Sequence, residues 1–440
     1  MKATWRPDFS QVEADDTYQK VNNRYPVFIR EKRPFFLEGA ESFATPLSLF
    51  YSRKIVQPEW GVKLSHRGER LGLFAVLAQE QAVPAERFGL VGQEKRATWG
   101  VFRGTWALDS SGSFVGTTIT LRNFGGYSTN YVFALDATKQ GERLTGTFQA
   151  ALSQTSTNGR AVSGAAFTAN ANYRWNQYWR TGIWAEMISP DFQADAGFLP
   201  DTDRRRFRLQ QDYTYLPKQT AGFLRSVNAA VAFTSVRSTG GALKWEGASG
   251  YAVVTVPHQI TFFVNPSFGR EGFAGREFDR IWSVSFAGQW REHKSFQPFA
   301  SVSKGRELVY GAQPFAGGSQ GWEVGLTSAF GPWSASVMRS RYRFGDETRA
   351  QDSWQVEVTH VFSESWSAKV FLVDDALRFA DWDLAFRSRF VNALFTYRLN
   401  PFSAVYLGAN MALEKEGELP RTEWRDTKTE QIFVKLSWYF

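Results

Sequence analysis

The 440-residue chain has no cysteine and only four methionines and four histidines. Without thiols there is no disulfide scaffold, cysteine nucleophile or cysteine metal site, and the redox compartment is left open. Nowhere do about 18 residues run apolar and uncharged, so no membrane-spanning helix is expected. The N-terminus, Met1-Lys2-Ala3-Thr4-Trp5-Arg6, lacks the apolar stretch of a signal peptide, which leaves a cytosolic chain or one given in its mature form. A net charge of +8 comes from 51 basic and 43 acidic residues that are interspersed rather than clustered, which argues against nucleic acid as a partner.

Aromatics, in contrast, make up 16% of the chain (39 Phe, 17 Trp, 15 Tyr), and there are 37 glycines. Mean hydropathy is nevertheless −0.35. A two-residue alternation reconciles the two. In the last segment Ile432, Val434, Leu436, Trp438 and Phe440 face one way, and Thr429, Gln431, Lys435 and Ser437 the other. Phe167, Ala169, Ala171, Tyr173 and Trp175 likewise oppose Thr168, Asn170, Asn172 and Arg174. Such stretches run about 10–15 residues, longer than the 5–6 usual in soluble sandwiches. They fit an all-β, transmembrane antiparallel β-barrel with apolar residues toward lipid, polar residues inward, and aromatic girdles such as Trp175, Tyr178 and Trp179 at strand ends.

Counting back from Phe440, short turns are expected near 400, 363, 331, 292, 257, 218, 176, 139, 110 and 67. Longer loops are expected between them, including 377–381, 345–351, 309–320, 271–276, 190–203, 155–162 and 84–94. With Lys2 to Phe9 as the first strand the count is 22, within a range of 20–24, and both termini fall on the periplasmic side. The whole of 1–440 is then one barrel domain.

Residues 10–60 break the alternation. Their aromatics (Phe28, Phe35, Phe36, Phe43, Phe50, Tyr51) argue against a solvated linker. Their charges, Glu13, Asp15, Arg30, Glu31, Lys32, Arg33 and Glu38 among them, suit the polar interior of a wide barrel, where they would pair with inward groups such as Arg204, Arg206, Arg208 and Asp212. We therefore expect a lumenal plug or constriction, with an external cap or periplasmic loop as the alternative.

Three strings in this region, Pro7-Asp8-Phe9-Ser10-Gln11-Val12-Glu13-Ala14-Asp15, Glu31-Lys32-Arg33-Pro34-Phe35-Phe36-Leu37-Glu38-Gly39 and Leu49-Phe50-Tyr51-Ser52-Arg53-Lys54-Ile55, resemble the signature of an uncharacterised bacterial outer-membrane family. Its members carry a family-nine-like carbohydrate-binding domain ahead of a barrel domain of unknown function. The resemblance implies a bacterial outer-membrane location and a barrel fold.

Two arginine ladders, Arg204/Arg206/Arg208 and Arg339/Arg341/Arg343, are expected to face the lumen. There they would favour anions or pair with plug carboxylates. Trp333, Ala335 and Val337 share the parity of Arg339, so that strand either bulges or changes face. His66, His258, His293 and His360 form no recognisable catalytic pattern, and neither an enzyme nor a cofactor is expected. Acidic groups Asp374/Asp375/Asp381/Asp383 and Asp191/Asp195/Asp201/Asp203 could hold Ca²⁺, but solvated loops are the more ordinary reading and no metal site is expected. Trp438 and Phe440 fit a terminal signal for the barrel-assembly machinery.

The leading expectation is a pore or conduit for small polar solutes, anions among them, narrowed by residues 10–60. The alternatives are a closed barrel anchoring periplasmic or surface proteins, and a glycan-binding surface receptor. Expected partners are outer-membrane lipid and lipopolysaccharide, the assembly machinery, and a periplasmic or surface protein.

Overall fold

In the computed structural model the described residues are 2–5, 19–37, 39–56, 58–83, 95–217, 222–400, 403–418 and 425–437. They contain 22 strands of one sheet, numbered in chain order from β1 (Lys2–Trp5) to β22 (Arg425–Ser437). The only α-helix among them is the four-residue turn Pro34–Leu37. Apart from β1, the strands run from 10 residues, as in β2 (Pro58–Arg67), to 17 in β20 (Leu384–Asn400). By contacts the chain divides into two units. The first comprises Met1–Gln11, Tyr25–Gln211 and Phe233–Trp245, the second Val12–Arg24, Asp212–Ala232 and Glu246–Phe440.

Within the first unit the alternation decides which side chain meets what. In β6 (Ser128–Gln140), Tyr131, Phe133 and Leu135 are about half exposed, while Asn130, Val132, Ala134 and Asp136 are buried. The partner β7 (Leu144–Thr157) continues both faces: Leu152 lies opposite Phe133 on the exposed side, and Gln149 opposite Asp136 on the covered side. The exposed face is thus the apolar one. That is the reverse of a soluble sheet and what a strand facing lipid requires.

The second unit repeats the rule. β17 (Trp333–Phe344) exposes Trp333 and Val337 and buries Ser340 and Phe344. β18 (Arg349–Val361) exposes Trp354 and buries Gln351 and Ser353. Around the turns at 331–332 and 362–365, Trp333 packs on His360, His360 on Phe362, and Trp366 stacks on Tyr397. This is the amphipathic ring girdle expected at a strand end.

Several expected long loops are tight turns instead. The 155–162 connection reduces to Asn158-Gly159 (φ 52° and 78°) and the 271–276 connection to Ala274-Gly275 (φ 51° and 75°). Both turn residues are left-handed in each case, the two-residue hairpin geometry whose twist matches the flanking strands. The residues formerly assigned to loop extend the ladders, so the strands are longer than expected. The connection at 189–203, between β9 (Trp179–Ile188) and β10 (Arg204–Tyr215), is long, as is the one between β1 and β2. Leu49 to Ile55 forms no strand: it holds a 3-10 turn at Ser52–Lys54, and the count stays at 22.

Candidate functional site

Residues 25–56 fold on themselves before they meet the sheet. Arg33 grips Glu31 with both prongs (Nε–Oε1 2.8 Å, Nη2–Oε2 2.6 Å) and also donates to the carbonyls of Ser52 (2.8 Å) and Ile55 (2.6 Å). The Ser52 hydroxyl donates to Glu31 Oε2, and Arg53 Nε to the Arg30 carbonyl. The Tyr51 hydroxyl donates to the carbonyl of Ile29 and accepts from its N–H. The second and third sequence motifs are therefore two halves of one clasp. Burial alone would raise the Glu31 carboxyl, but the Arg33 hydrogen bonds and charge, with the Ser52 hydroxyl, outweigh it and hold the group below its ordinary range.

The clasp docks through apolar side chains. Phe36, Phe43 and Ile55 bury themselves with Phe74, Val76 and Ala78 of β3 (Leu71–Val83) and Trp99 of β4 (Lys95–Ala107). Leu47 and Leu49 pack with Val132, Ala134, Ala151, Ile188 and Phe192. Buried polar side chains of the strands complete the seal. Gln149 accepts from Leu47 N (2.7 Å), and Glu80 accepts from Val56 N and from Trp99 Nε1 (2.8 Å each).

The 189–203 connection closes over the same face. Tyr51 N donates to the Ala196 carbonyl (2.7 Å) and Phe198 N to the Ser48 carbonyl (2.9 Å). A Cβ on Gly197 would stand 2.3 Å from the Ser48 carbonyl oxygen, so only glycine admits this approach. Arg122, itself buried, holds Asp195, and Asn130 brackets the connection by donating to the Gln193 carbonyl and accepting from Asp195 N.

In the second unit, residues 19–24 are held differently. Lys20 Nζ lies 2.5 Å from the fully buried Asp375, and Lys20 N donates to Gln351 (2.7 Å). Asn22 donates to the Leu308 carbonyl and accepts from Tyr310 N. Arg24 Nη1 pairs with Glu271 at 2.7 Å, and the Tyr310 hydroxyl donates to the same carboxylate. Burial, with Glu271 adjacent, pushes the Tyr310 hydroxyl well above its ordinary value. Val21 is the one apolar anchor, seated with Val309 and Phe344.

The expected site residues divide accordingly. Arg204 and Arg208 lie on the face opposite the exposed Phe207 and Leu209, and Arg204 pairs with Glu186 (2.8 Å) and Asp201, not with the clasp. Arg208 donates to Gln210 and lies 5.8 Å from the Trp184 ring centroid. Arg206 shares their parity and makes no ion pair among the described residues. Arg30 is exposed, Lys32 half-buried, and Glu31 and Arg33 pair with each other rather than with strand charges. Glu13, Asp15, Glu38, Trp438 and Phe440 lie outside the described residues.

Arg339, Arg341 and Arg343 are not lumenal. They share the parity of Trp333 and Val337 and point to the exposed apolar face, because β17 runs without a bulge from Trp333 to Phe344. Six of the eight carboxylates in the two acidic groups are engaged by side chains: Asp374 by Arg387 and Arg389, Asp375 by Lys20, Asp381 by Arg349, Asp195 by Arg122, Asp201 by Lys244, and Asp203 by Thr239. Sequence reasoning missed Glu80, Gln149, Glu271 and Gln351, and it placed Asp375 only in an acidic loop group, not opposite Lys20. One signal was available for the docking surface. Leu71 to Ala78 reads Leu-Gly-Leu-Phe-Ala-Val-Leu-Ala, apolar on both faces, as a strand covered on both sides must be.

Beside the clasp, a cavity of about 760 Å³ opens between residues 39–44 and the first strands. Lys63, His66, Arg67, Arg70 and Arg103 line it against Glu41 and Glu69. Arg103 is locked to Asp136 (Nη2–Oδ2 2.8 Å) and to the Thr118 hydroxyl.

Residues 1–68 match the model of a family described as a domain of unknown function, DUF5916, a span that includes all three motifs. No curated protein matches the sequence. Among solved structures, the siderophore receptor PirA from Pseudomonas aeruginosa is 12% identical with a TM-score of 0.54, over 81% of this chain and 74% of that one. The copper transporter OprC is 12% identical with a TM-score of 0.55, over 87% and 78%. At such identity the likeness shows the fold alone, and that fold is the antiparallel β-barrel of outer-membrane proteins.

Proposed function

We propose that the protein is a conduit in the bacterial outer membrane for small polar solutes, anions favoured, whose lumen is closed at rest by residues 19–56. The carrying observation is that this segment covers the polar face of the strands with two unlike attachments. Phe36, Phe43, Leu47, Leu49 and Ile55 are almost fully buried. At roughly 1.5–3 kcal/mol for each large apolar side chain, their docking is worth of order 10 kcal/mol, too much for thermal release of the whole clasp. Residues 19–24 are held mainly by ion pairs and hydrogen bonds, with Val21 the one buried apolar side chain against five in the clasp, so they are the weaker attachment. Passage then begins by release of this polar latch while the apolar clasp stays seated.

The preference for anions rests on Arg204, Arg206 and Arg208 and on the cationic cavity. One fold relative is named for a siderophore and the other for copper. The cationic lining here favours a different, negatively charged cargo. The reading assigns no catalysis and no cofactor, and it includes the barrel-assembly machinery as the partner reading Trp438 and Phe440. Planar-bilayer recordings of a chain lacking residues 11–47 test it: discrete openings with anion over cation selectivity are expected, and a silent bilayer despite insertion overturns it. The extent of apolar burial also supports a second reading, a permanently sealed barrel that anchors another protein. That reading calls for a stoichiometric partner retained in pull-downs from native membranes.

A further inference from the structure

The misplaced ladder is informative because of what it costs. An arginine on the lipid face is destabilising by about 2–4 kcal/mol at the bilayer midplane and by about 0–1 kcal/mol near the interface. Arg339, Arg341 and Arg343 occupy the last six residues of β17, at the end opposite the C-terminus of β22. Lys304 and Arg306, near the end of β15 (Gln297–Val309), occupy the same face and level. The cations therefore fall toward one end of the strands, where headgroups would lie, with Val284 opposite Lys304 and the Phe286–Val302 pair in the row of Trp322 and Arg341.

They also converge. Lys304 pairs in register with Gln320 of β16 (Phe315–Phe330), and Gln320 with Arg343, so Lys304 and Arg343 stand two strands, about 10 Å, apart across one residue. Arg341 lies one step below, opposite Trp322. Between them is a groove of about 520 Å³ lined by the cations Lys304, Arg341 and Arg343 and by the apolar Val284, Phe286 and Val302. Two carboxylates answer the cations: Asp352, 3.0 Å from Arg341 Nε but not aligned as a hydrogen bond, and Glu347, which pairs with Arg343. Lys304 and Arg339 have no acidic partner among the described residues. Arg339 instead lies over Trp354 (4.7 Å) and Trp322 (5.5 Å). This leaves uncompensated positive charge directly beside an apolar trough.

We propose that this groove binds the phosphate headgroup of an outer-leaflet lipid, with its acyl chains along Val284, Phe286 and Val302. Arg341 and Arg343 supply forked donors to the phosphate oxygens and Lys304 a point charge from the opposite wall. Arg339, stacked between two tryptophans, holds the lower edge. The inference rests on the outer-membrane placement but not on conduction.

The test is native mass spectrometry of the full chain in detergent, titrated with bisphosphorylated lipid A, with the same lipid after dephosphorylation, and with inorganic phosphate. Retention of bisphosphorylated lipid A only is expected. The variant Lys304→Gln/Arg341→Gln/Arg343→Gln should weaken it about 100-fold. Arg291→Gln/Lys294→Gln, which removes charge from an exposed turn at the opposite strand ends, should leave it unchanged. Equal binding of the dephosphorylated lipid, equal loss in both variants, or binding of inorganic phosphate as tight as that of the lipid each overturns the proposal. Heat-resistant migration of the variants confirms an intact barrel, and Arg343→Gln alone, with about tenfold weaker binding expected, serves if the triple variant fails to assemble. Bilayer insertion of the same samples separates failure of lipid binding from failure of the barrel reading.

Discussion

Arg33 and Glu31, two residues apart, form a forked ion pair whose guanidinium also caps the carbonyls of Ser52 and Ile55, so one contact ties the two ends of the clasp together. Removing the Glu31 charge leaves the half-buried Arg33 without that carboxylate. Glu31→Gln is expected to destabilise the docked segment by about 1.5–3 kcal/mol. Limited proteolysis within 25–56, compared with wild type, checks it.

The same pair sets a pH limit. The Glu31 carboxyl is lower in the folded protein than its ordinary value of 4.5, so its stabilisation is full above that value and fades as pH falls through the lower folded value. Protease protection of the segment should hold at neutral pH and decline below about pH 4.5. Glu31→Gln should flatten the profile, and a profile unchanged by that substitution would mean another group controls it.

Gly197 makes a sharper steric prediction. With a Cβ forced to 2.3 Å from the Ser48 carbonyl, Gly197→Val must part the 189–203 connection from residues 48–51. A loss of about 1–3 kcal/mol is expected. Cleavage in 189–203 should rise while strand content by circular dichroism stays constant.

Arg103 and Asp136 are both almost fully buried, and Arg103 Nε has no partner. Asp136→Ala strands the guanidinium and should cost about 3–5 kcal/mol. The double change Arg103→Met/Asp136→Leu should recover most of that. Thermal unfolding in detergent distinguishes the two, and equal losses would show that the pair is not coupled.

The barrel was legible because lipid imposes a strict period of two. The 22-strand count and nearly every turn position followed from it. Loop lengths were less so: Asn158-Gly159 carries the chemistry of a two-residue hairpin, whereas Ala274-Gly275, with an alanine at positive φ, does not. Arg339, Arg341 and Arg343 were misassigned because charge was read as lumenal, although their parity with Trp333 and Val337 pointed outward. Headgroup depth makes such charge tolerable. The latch was illegible for a different reason. Lys20 meets Asp375 and Arg24 meets Glu271 across 355 and 247 residues of sequence, and nothing local marks either carboxylate.

The central claim, that release of residues 19–24 opens the lumen, can be tested directly because the chain has no cysteine. In Lys20→Cys/Asp375→Cys, a short bis-methanethiosulfonate reagent, which bonds each thiol as a disulfide with loss of methanesulfinate, ties the latch to its strand. Single-channel conductance is then recorded before and after reduction. The account predicts a silent channel while cross-linked and frequent openings once the link is cut. Conductance identical in both states would contradict it.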